Sequence, residues 1–247
     1  MDDERPRAVG AAPDRERLVA LFEVLLCSGF PTQLVIGQVL VLAGYSPFGP
    51  DGTPAAGPLF ALALIDSVVL IGLITALLWA HGQTLGWLLV GTRRVRREIG
   101  FGLLLVPALF IGVGLTVLLL QRLLPFLHNV PSNPLEQLMR TPGEAGAFAL
   151  VAIVAGGLRE EVQRAFLLRR FEAHLGGPFV GLAIVSVAFG AGHVVQGWDA
   201  AIATGLLGLT WGFIYLRRNS AVAPIVSHAG YNTAQILQVV AARSLGG

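Results

Sequence analysis

Long apolar runs, interrupted by glycine, proline and clusters of arginine, constrain this chain more than any other feature. One membrane-crossing helix needs about 20 predominantly apolar residues, and several runs here reach that length. Hydrophobic residues make up 54% of the 247 positions and charged residues only 13%, which is far too apolar for a soluble domain of this size. We therefore predict an all-α fold, a polytopic membrane helical bundle.

The runs predict about seven transmembrane helices. They lie near 17–45, 58–80, 100–124, 144–171, 177–196, 200–217 and 221–243. The first run contains Pro31, Gln33 and Gln38, so this helix is expected to be kinked or divided, and division would give an eighth helix. Segment 83–99 is expected at the membrane interface, and 125–143 is expected outside the membrane.

Arginine supplies all seventeen positive charges, since the chain has no lysine. Twelve of them lie on one side of the predicted membrane and three on the other. The remaining two, Arg159 and Arg164, lie inside a predicted helix. By the positive-inside rule the N-terminus is cytoplasmic, and we expect a multi-pass protein of the plasma (inner) membrane. The cluster Arg93–Arg97 is predicted to contact anionic lipid. The pI of about 9.2 therefore reflects topology, and no nucleic-acid partner is expected.

Three polar patterns interrupt the apolar runs of the C-terminal half. They are Arg159-Glu160-Glu161 with Arg164, then Phe189 to His193, then His228 to Asn232. Residues four apart share a helix face, so Glu160 should face the same way as Arg164. Because ionisable groups deep in a membrane are costly to bury, these groups should meet inside the bundle. Taken singly, each of these groups could be explained as a helix-packing partner or as one member of a neutralised buried pair. Taken together, they provide a general base and oxyanion donors.

The sequence resembles the CPBP family of intramembrane proteases, which contains the type II CAAX prenyl endopeptidases and many bacterial relatives. The family pattern is a Glu-Glu pair with a following Arg, then Phe-x-x-x-His, then His-x-x-x-Asn, on successive core helices. The matching residues here are Glu160-Glu161, Phe189-Gly190-Ala191-Gly192-His193 and His228-Ala229-Gly230-Tyr231-Asn232. The resemblance covers roughly 144–243.

The first motif departs from the family pattern. The family usually places three residues between Glu-Glu and Arg, whereas only Val162 and Gln163 precede Arg164 here. Either Arg164 serves from a shifted helix position with Glu160 as catalyst, or Arg159 and Glu160 occupy the Glu-Glu positions. The second register would put catalytic competence in doubt, and we favour the first.

The resemblance implies peptide-bond hydrolysis inside or at the edge of the bilayer. The implied catalytic residues are Glu160, Glu161, His193, His228 and Asn232, and the implied binding residues are Arg164 and Phe189. Glu160 is the expected base that takes a proton from water, which His193 would help to orient or deprotonate. His228 and Asn232 would donate hydrogen bonds to the developing oxyanion.

A metal ion is a separate question. Glu160, His193 and His228 would supply three ligands and leave one position open for water, as in catalytic zinc sites. The HExxH pattern of many zinc proteases is absent, and the family has been labelled both metalloprotease and glutamic protease. We favour a metal-independent mechanism and leave a divalent metal such as zinc open.

Two other classes of function remain open. One is a catalytically inactive scaffold or immunity-type protein that binds a membrane peptide. The irregular first motif is consistent with this alternative. The other is a small proton-coupled transporter, since buried Glu, Arg and His also mark ion paths. The sequence has no inverted repeat that would favour a transporter.

The division of the chain and the substrate class follow from this reading. We expect a cytoplasmic N-terminal tail at 1–16, an N-terminal transmembrane region at 17–143 and a CPBP-like catalytic transmembrane core at 144–247. The use of arginine alone and the many alanines and glycines favour a bacterium with a GC-rich genome, where CAAX prenylation is not expected. The expected substrate is therefore a membrane-associated peptide or protein.

Overall fold

A computed structural model describes residues 14–49 and 52–246, and the predicted all-α membrane helical bundle is confirmed for them. Most of the predicted tail at 1–16 lies outside the described residues. The helices are α1 (Asp14–Leu26), α2 (Phe30–Leu42), α3 (Ala56–Ala80), α4 (Leu85–Val90), α5 (Val95–Leu123), α6 (Pro142–Val151), α7 (Glu160–His174), α8 (Pro178–Ala191), α9 (Trp198–Arg218) and α10 (Val222–Gly246). A π-helical segment, Ala152–Arg159, joins α6 to α7 without a break.

The first predicted helix is divided, as its proline and glutamines suggested. It breaks between α1 and α2 at Gly29, whose φ of 88° lies in the left-handed region that favours glycine. Pro31 stands in the first turn of α2, where its missing N–H is not needed. A Cβ at Gly29 would lie 2.6 Å from Nη2 of Arg159, so this turn packs directly against the polar end of the π-helical segment.

Four of the predicted spans are long and apolar enough to cross a membrane. They are Asp14–Leu42, Ala56–Ala80, Val95–Leu123 and Trp198–Arg218. The other three predicted spans are helical in the structure. Among the described residues, however, these segments do not combine the length and the apolar composition of a membrane-crossing helix. α8 has only 14 residues, about 21 Å of helix, and the predicted helix at 177–196 was therefore too long. The π-helical segment and α7 carry the polar motif instead of a uniformly apolar run.

Contacts between distant segments define the two ends of the bundle. At one end, the backbone N–H of Ala221 donates to the carbonyl of Leu89, and Arg218 pairs with Glu98 at 2.7 Å. At the other end, Asp199 pairs with His128 at 2.8 Å. The short connection 192–197 keeps the C-terminal end of α8 and the N-terminal end of α9 at this second end of the bundle.

The helix α7 lies at the centre of the bundle. Ten of its fifteen residues are buried, and Phe166 and Leu168 are fully buried within the largest apolar cluster together with residues of α3 and α9. Small residues bring the surrounding backbones close: a Cβ at Gly157 would lie 2.7 Å from Cβ of Ala229 on α10. Close approach through small residues is how membrane helices pack without a hydrophobic driving force.

Candidate active site

The two adjacent glutamates stand at the junction between the π-helical segment and α7. Adjacent helical residues point in different directions, and the burial differs accordingly. Glu161 is 2% exposed, whereas the side chain of Glu160 is 23% exposed. Single turns of π-helix occur frequently at functional sites. Glu160 is therefore the carboxylate that water and a substrate can reach.

Glu161 holds two partners inside the bundle. Its Oε1 accepts a hydrogen bond from Nη1 of Arg164 and lies 2.8 Å from Nδ1 of His228. Glu160 and Arg164 are spaced to share a helix face, but Arg164 pairs with Glu161, three residues before it. Since an ionised carboxylate only accepts hydrogen bonds, Nδ1 of His228 is the protonated nitrogen of this contact.

The imidazole of His228 is fixed on a second side by Trp211 of α9. The two rings stack with centroids 3.8 Å apart and an interplanar angle of 14°. Nε1 of Trp211 donates to Oγ of Ser227 at 3.0 Å, which fixes the indole in turn. Nε2 of His228 then lies 3.8 Å from Oε2 of Glu160. Sequence reasoning missed Trp211 and Ser227, because an aromatic or a serine in an apolar helix gives no functional signal.

Asn232 lies one turn further along α10, close to the π-helical segment. Its Nδ2 is 3.4 Å from the carbonyl oxygen of Ala152, a long contact that leaves donor capacity free. A Cβ at Gly156 would lie 2.5 Å from Nδ2 of Asn232 and 3.8 Å from Nε2 of His228. Gly156 therefore makes room for both groups; the sequence could not single it out among 31 glycines.

Phe189 connects the second motif to the first and third. Its ring is stacked under the guanidinium of Arg164, with Cζ 4.5 Å from the centroid, and meets the His228 ring edge-on at 6.1 Å. The centroid of His193 is 4.8 Å from that of Phe189. Three other motif side chains are thus packed around the Phe189 ring.

His193 does not lie on a helix, contrary to the prediction. α8 ends at Ala191, and His193 follows it at the start of a short 3₁₀ turn. Nδ1 of His193 lies 2.7 Å from the carbonyl oxygen of Phe189; because a carbonyl only accepts, Nδ1 carries the proton and Nε2 is left as an acceptor. The structure does not place His193 in an ion pair with any carboxylate of the described residues.

The side chain of Arg159 faces the N-terminal region. Its Nη2 donates to Oδ2 of Asp66 on α3, and its Nη1 donates to Oε1 of Gln163 at 3.1 Å. Glu160 and Glu161, and not Arg159 and Glu160, are therefore the two groups that face His228. This geometry favours the register in which the Glu-Glu pair of the motif is Glu160-Glu161.

The three side chains expected as metal ligands, Glu160, His193 and His228, are not grouped as a metal site among the described residues. In that part of the chain, no three side chains of His, Cys, Asp or Glu are grouped so that they could hold a metal ion. Nδ1 of His228 contacts Glu161 and Nδ1 of His193 contacts a backbone carbonyl; these contacts orient the rings and leave Nε2 of each available, as also occurs in metal-ligating histidines. We assign no chemical step to a metal.

Comparison with known protein families identifies the segment that carries these groups. Residues 142–234 match the family model described as Rce1-like, type II CAAX prenyl endopeptidase. Residues 142–234 belong to this family. No curated protein and no solved structure matches the chain.

The Rce1-like segment begins where α6 begins and contains every motif residue from Glu160 to Asn232. Its extent agrees with the predicted resemblance over 144–243. The match supports a CAAX-type intramembrane protease as the general class, and a membrane-associated protein as its substrate. The helices α1 to α5 lie outside the Rce1-like segment.

Proposed function

We propose that this protein is an intramembrane endopeptidase that hydrolyses a peptide bond of a membrane-associated or lipidated protein or peptide, with Glu160 as the general base. The observation that carries the proposal is the arrangement around His228. Glu161 and Trp211 fix this imidazole, and its free nitrogen faces the accessible carboxylate of Glu160 at 3.8 Å. A base and a hydrogen-bonding group that flank a common space are what hydrolysis of a carbonyl requires.

In the proposed reaction, Glu160 takes a proton from water as the water oxygen attacks the scissile carbonyl carbon. His193 helps to orient the water through Nε2, because its Nδ1–H is held by the carbonyl of Phe189. The resulting tetrahedral intermediate carries an oxyanion. When the C–N bond breaks, Glu160 returns the proton to the leaving amine, so that the carboxylate is restored at the end of the cycle.

Asn232 and His228 are the proposed oxyanion donors. Nδ2 of Asn232 has a free N–H beyond its long contact with the carbonyl of Ala152. Nε2 of His228, 3.8 Å from Oε2 of Glu160, faces the same space and is the second proposed donor. Loss of one oxyanion donor typically raises the barrier by about 3–4 kcal/mol.

Turnover of a quenched library of lipidated peptides by the purified protein in bilayer nanodiscs tests this function, with the products identified by mass spectrometry. We expect single-site cleavage that His193→Ala abolishes and that exhaustive chelation leaves unchanged. Loss of activity on chelation, restored by zinc, would contradict the metal-independent mechanism. Absence of cleavage by a folded wild type, with retained binding of a membrane peptide, would favour the scaffold reading; solute uptake into vesicles would favour a transporter.

We also propose that the protein lies in the plasma membrane of a bacterium with its N-terminus in the cytoplasm. The exposed arginines Arg93, Arg94, Arg96 and Arg97 would then contact anionic lipid at the cytoplasmic face. Cys27, the single cysteine, is fully buried, so cysteines introduced at exposed positions can be labelled selectively. Labelling of Arg94→Cys by a membrane-impermeant reagent in intact cells would contradict this orientation.

A further inference from the structure

A second polar cluster lies at the opposite end of α7 from the glutamate pair. Arg170 is ten residues from Glu160, or about 15 Å along the helix axis. Two cavities of about 440 and 380 Å³ adjoin it and share a wall formed by His81, Arg170 and His174. These residues belong to the bundle end that also contains the start of α1 and the end of α3.

The guanidinium of Arg170 is buried with a donor left open. Arg170 is 5% exposed, and its Cζ lies 4.7 Å from the ring centroid of Phe166. Its Nε is 2.7 Å from Oε2 of Glu23, yet the two atoms are not aligned for a hydrogen bond, and Nη2 has no partner among the described residues. An unpartnered buried donor costs about 1–3 kcal/mol, so this guanidinium is suited to an oxygen-rich ligand.

Glu23 is the counter-ion of Arg170 at Nε, but no carboxylate of the described residues reaches Nη2. Oε1 of Glu23 is engaged by Nε2 of His81 at 2.6 Å. Glu16 is at the rim, with a side chain 55% exposed and 3.7 Å from Nδ1 of His174. Glu172 of the second cavity pairs with Arg169 at 2.7 Å. The cavity wall therefore combines a buried guanidinium, Arg170, whose Nη2 lacks a hydrogen-bond partner among the described residues, with the exposed carboxylate of Glu16 at the rim.

We propose that these cavities bind a phosphoethanolamine group, with the phosphate on Arg170 and the ammonium near Glu16. A guanidinium binds phosphate oxygens through several charge-assisted hydrogen bonds. The exposed apolar side chains Val19 and Trp87 line the cavities, which suits a headgroup attached to acyl chains at a membrane surface. The site is separate from the proposed catalytic centre and does not depend on its activity.

Native mass spectrometry of the full-length protein with added lipids tests this proposal. We expect phosphatidylethanolamine to bind and diacylglycerol, which lacks the phosphate, not to bind. Loss of charge-assisted hydrogen bonds in Arg170→Gln should weaken binding about tenfold or more. The matched control is Arg217→Gln, which removes an exposed arginine from the same end of the bundle and should leave binding unchanged.

Three results would overturn the proposal: equal binding by Arg170→Gln, equal loss in Arg217→Gln, or binding of diacylglycerol as strong as that of the phospholipid. If Arg170→Gln does not fold, Glu16→Gln decides, since Glu16 is exposed. It should lose the preference for phosphatidylethanolamine over phosphatidylglycerol, and an unchanged preference would contradict the site. Competition by free phosphoethanolamine distinguishes a soluble phosphate ester from a lipid headgroup as the ligand. Full displacement of the bound lipid indicates the soluble ester, and no displacement indicates the lipid headgroup.

Discussion

Replacing Gly156 with alanine should inactivate the protein without unfolding it. The added Cβ would lie 2.5 Å from Nδ2 of Asn232, whereas ordinary contact begins near 3.4 Å, so the amide must move by about 0.9 Å. The amide is the far end of a flexible side chain, and it can turn aside at little cost in stability. The same Cβ stands 3.8 Å from Nε2 of His228, which is ordinary contact, so His228 should stay in place.

The expected loss follows from that displacement. A misplacement of about 1 Å at a reacting group lowers the rate about 100-fold, and full loss of an oxyanion donor lowers it about 100- to 1,000-fold. We therefore expect kcat for a lipidated peptide to fall by about 100-fold or more. KM should change little, because the contact with Asn232 is made to the transition state.

The matched control is Gly146→Ala on α6, where an added Cβ meets nothing within 4 Å. It should keep full activity and gain stability, since alanine is favoured over glycine in a helix by about 0.5–1 kcal/mol. Both variants are measured for turnover in nanodiscs and for thermal unfolding. Wild-type kcat in Gly156→Ala, with Gly146→Ala also active, would refute the role given to Asn232.

Three further substitutions test the supports of the site. Glu161→Gln leaves the buried charge of Arg164 without its counter-ion and should lower the free energy of unfolding by about 3 kcal/mol or more, measured by denaturant titration in detergent; an unchanged midpoint would contradict it. Trp211→Phe loses the hydrogen bond to Ser227 and part of the stacking surface on His228, so kcat should fall about tenfold, which corresponds to about 1.4 kcal/mol of barrier. Because Trp211 is fully buried, the smaller ring should also lower the free energy of unfolding by about 1–2 kcal/mol. Asp66→Asn removes the counter-ion of Arg159 and should destabilise the protein by about 3 kcal/mol in the same titration. Glu136→Gln, which changes a half-buried carboxylate in the 3₁₀ turn Pro134–Leu138, should be nearly neutral.

The site residues that could be predicted from the sequence are polar residues inside apolar runs that are predicted to span the membrane. Glu160, His193 and Asn232 interrupt apolar runs, where lipid-facing sequence excludes polar groups. The cost of burying them in a membrane predicts that they meet inside the bundle. Helix spacing alone allows Arg164 to pair with either Glu160 or Glu161, because positions three and four residues apart share a helix face. In the structure Arg164 pairs with Glu161, which is buried beside His228.

Other features depend on contacts that no local pattern records. Trp211 matters because α9 brings it against His228, and Asp66 meets Arg159 from 93 residues away in the chain. The early end of α8 follows from Gly190 and Gly192, on either side of Ala191, because glycine weakens a helix. A kink or division of the first helix was predicted from Pro31, Gln33 and Gln38, since proline inside a helix kinks or breaks it; its position at Gly29 was not.

The role of Glu160 as the base is the central claim, and the rate of peptide cleavage by Glu160→Gln tests it most directly. Glutamine keeps the size of the side chain and its place 3.8 Å from His228 but cannot take a proton. The matched control is Glu172→Gln, which changes an exposed carboxylate on the same helix. We expect cleavage to fall by about 100- to 10,000-fold in Glu160→Gln and to stay at the wild-type rate in Glu172→Gln. Wild-type cleavage by a folded Glu160→Gln variant would contradict the mechanism.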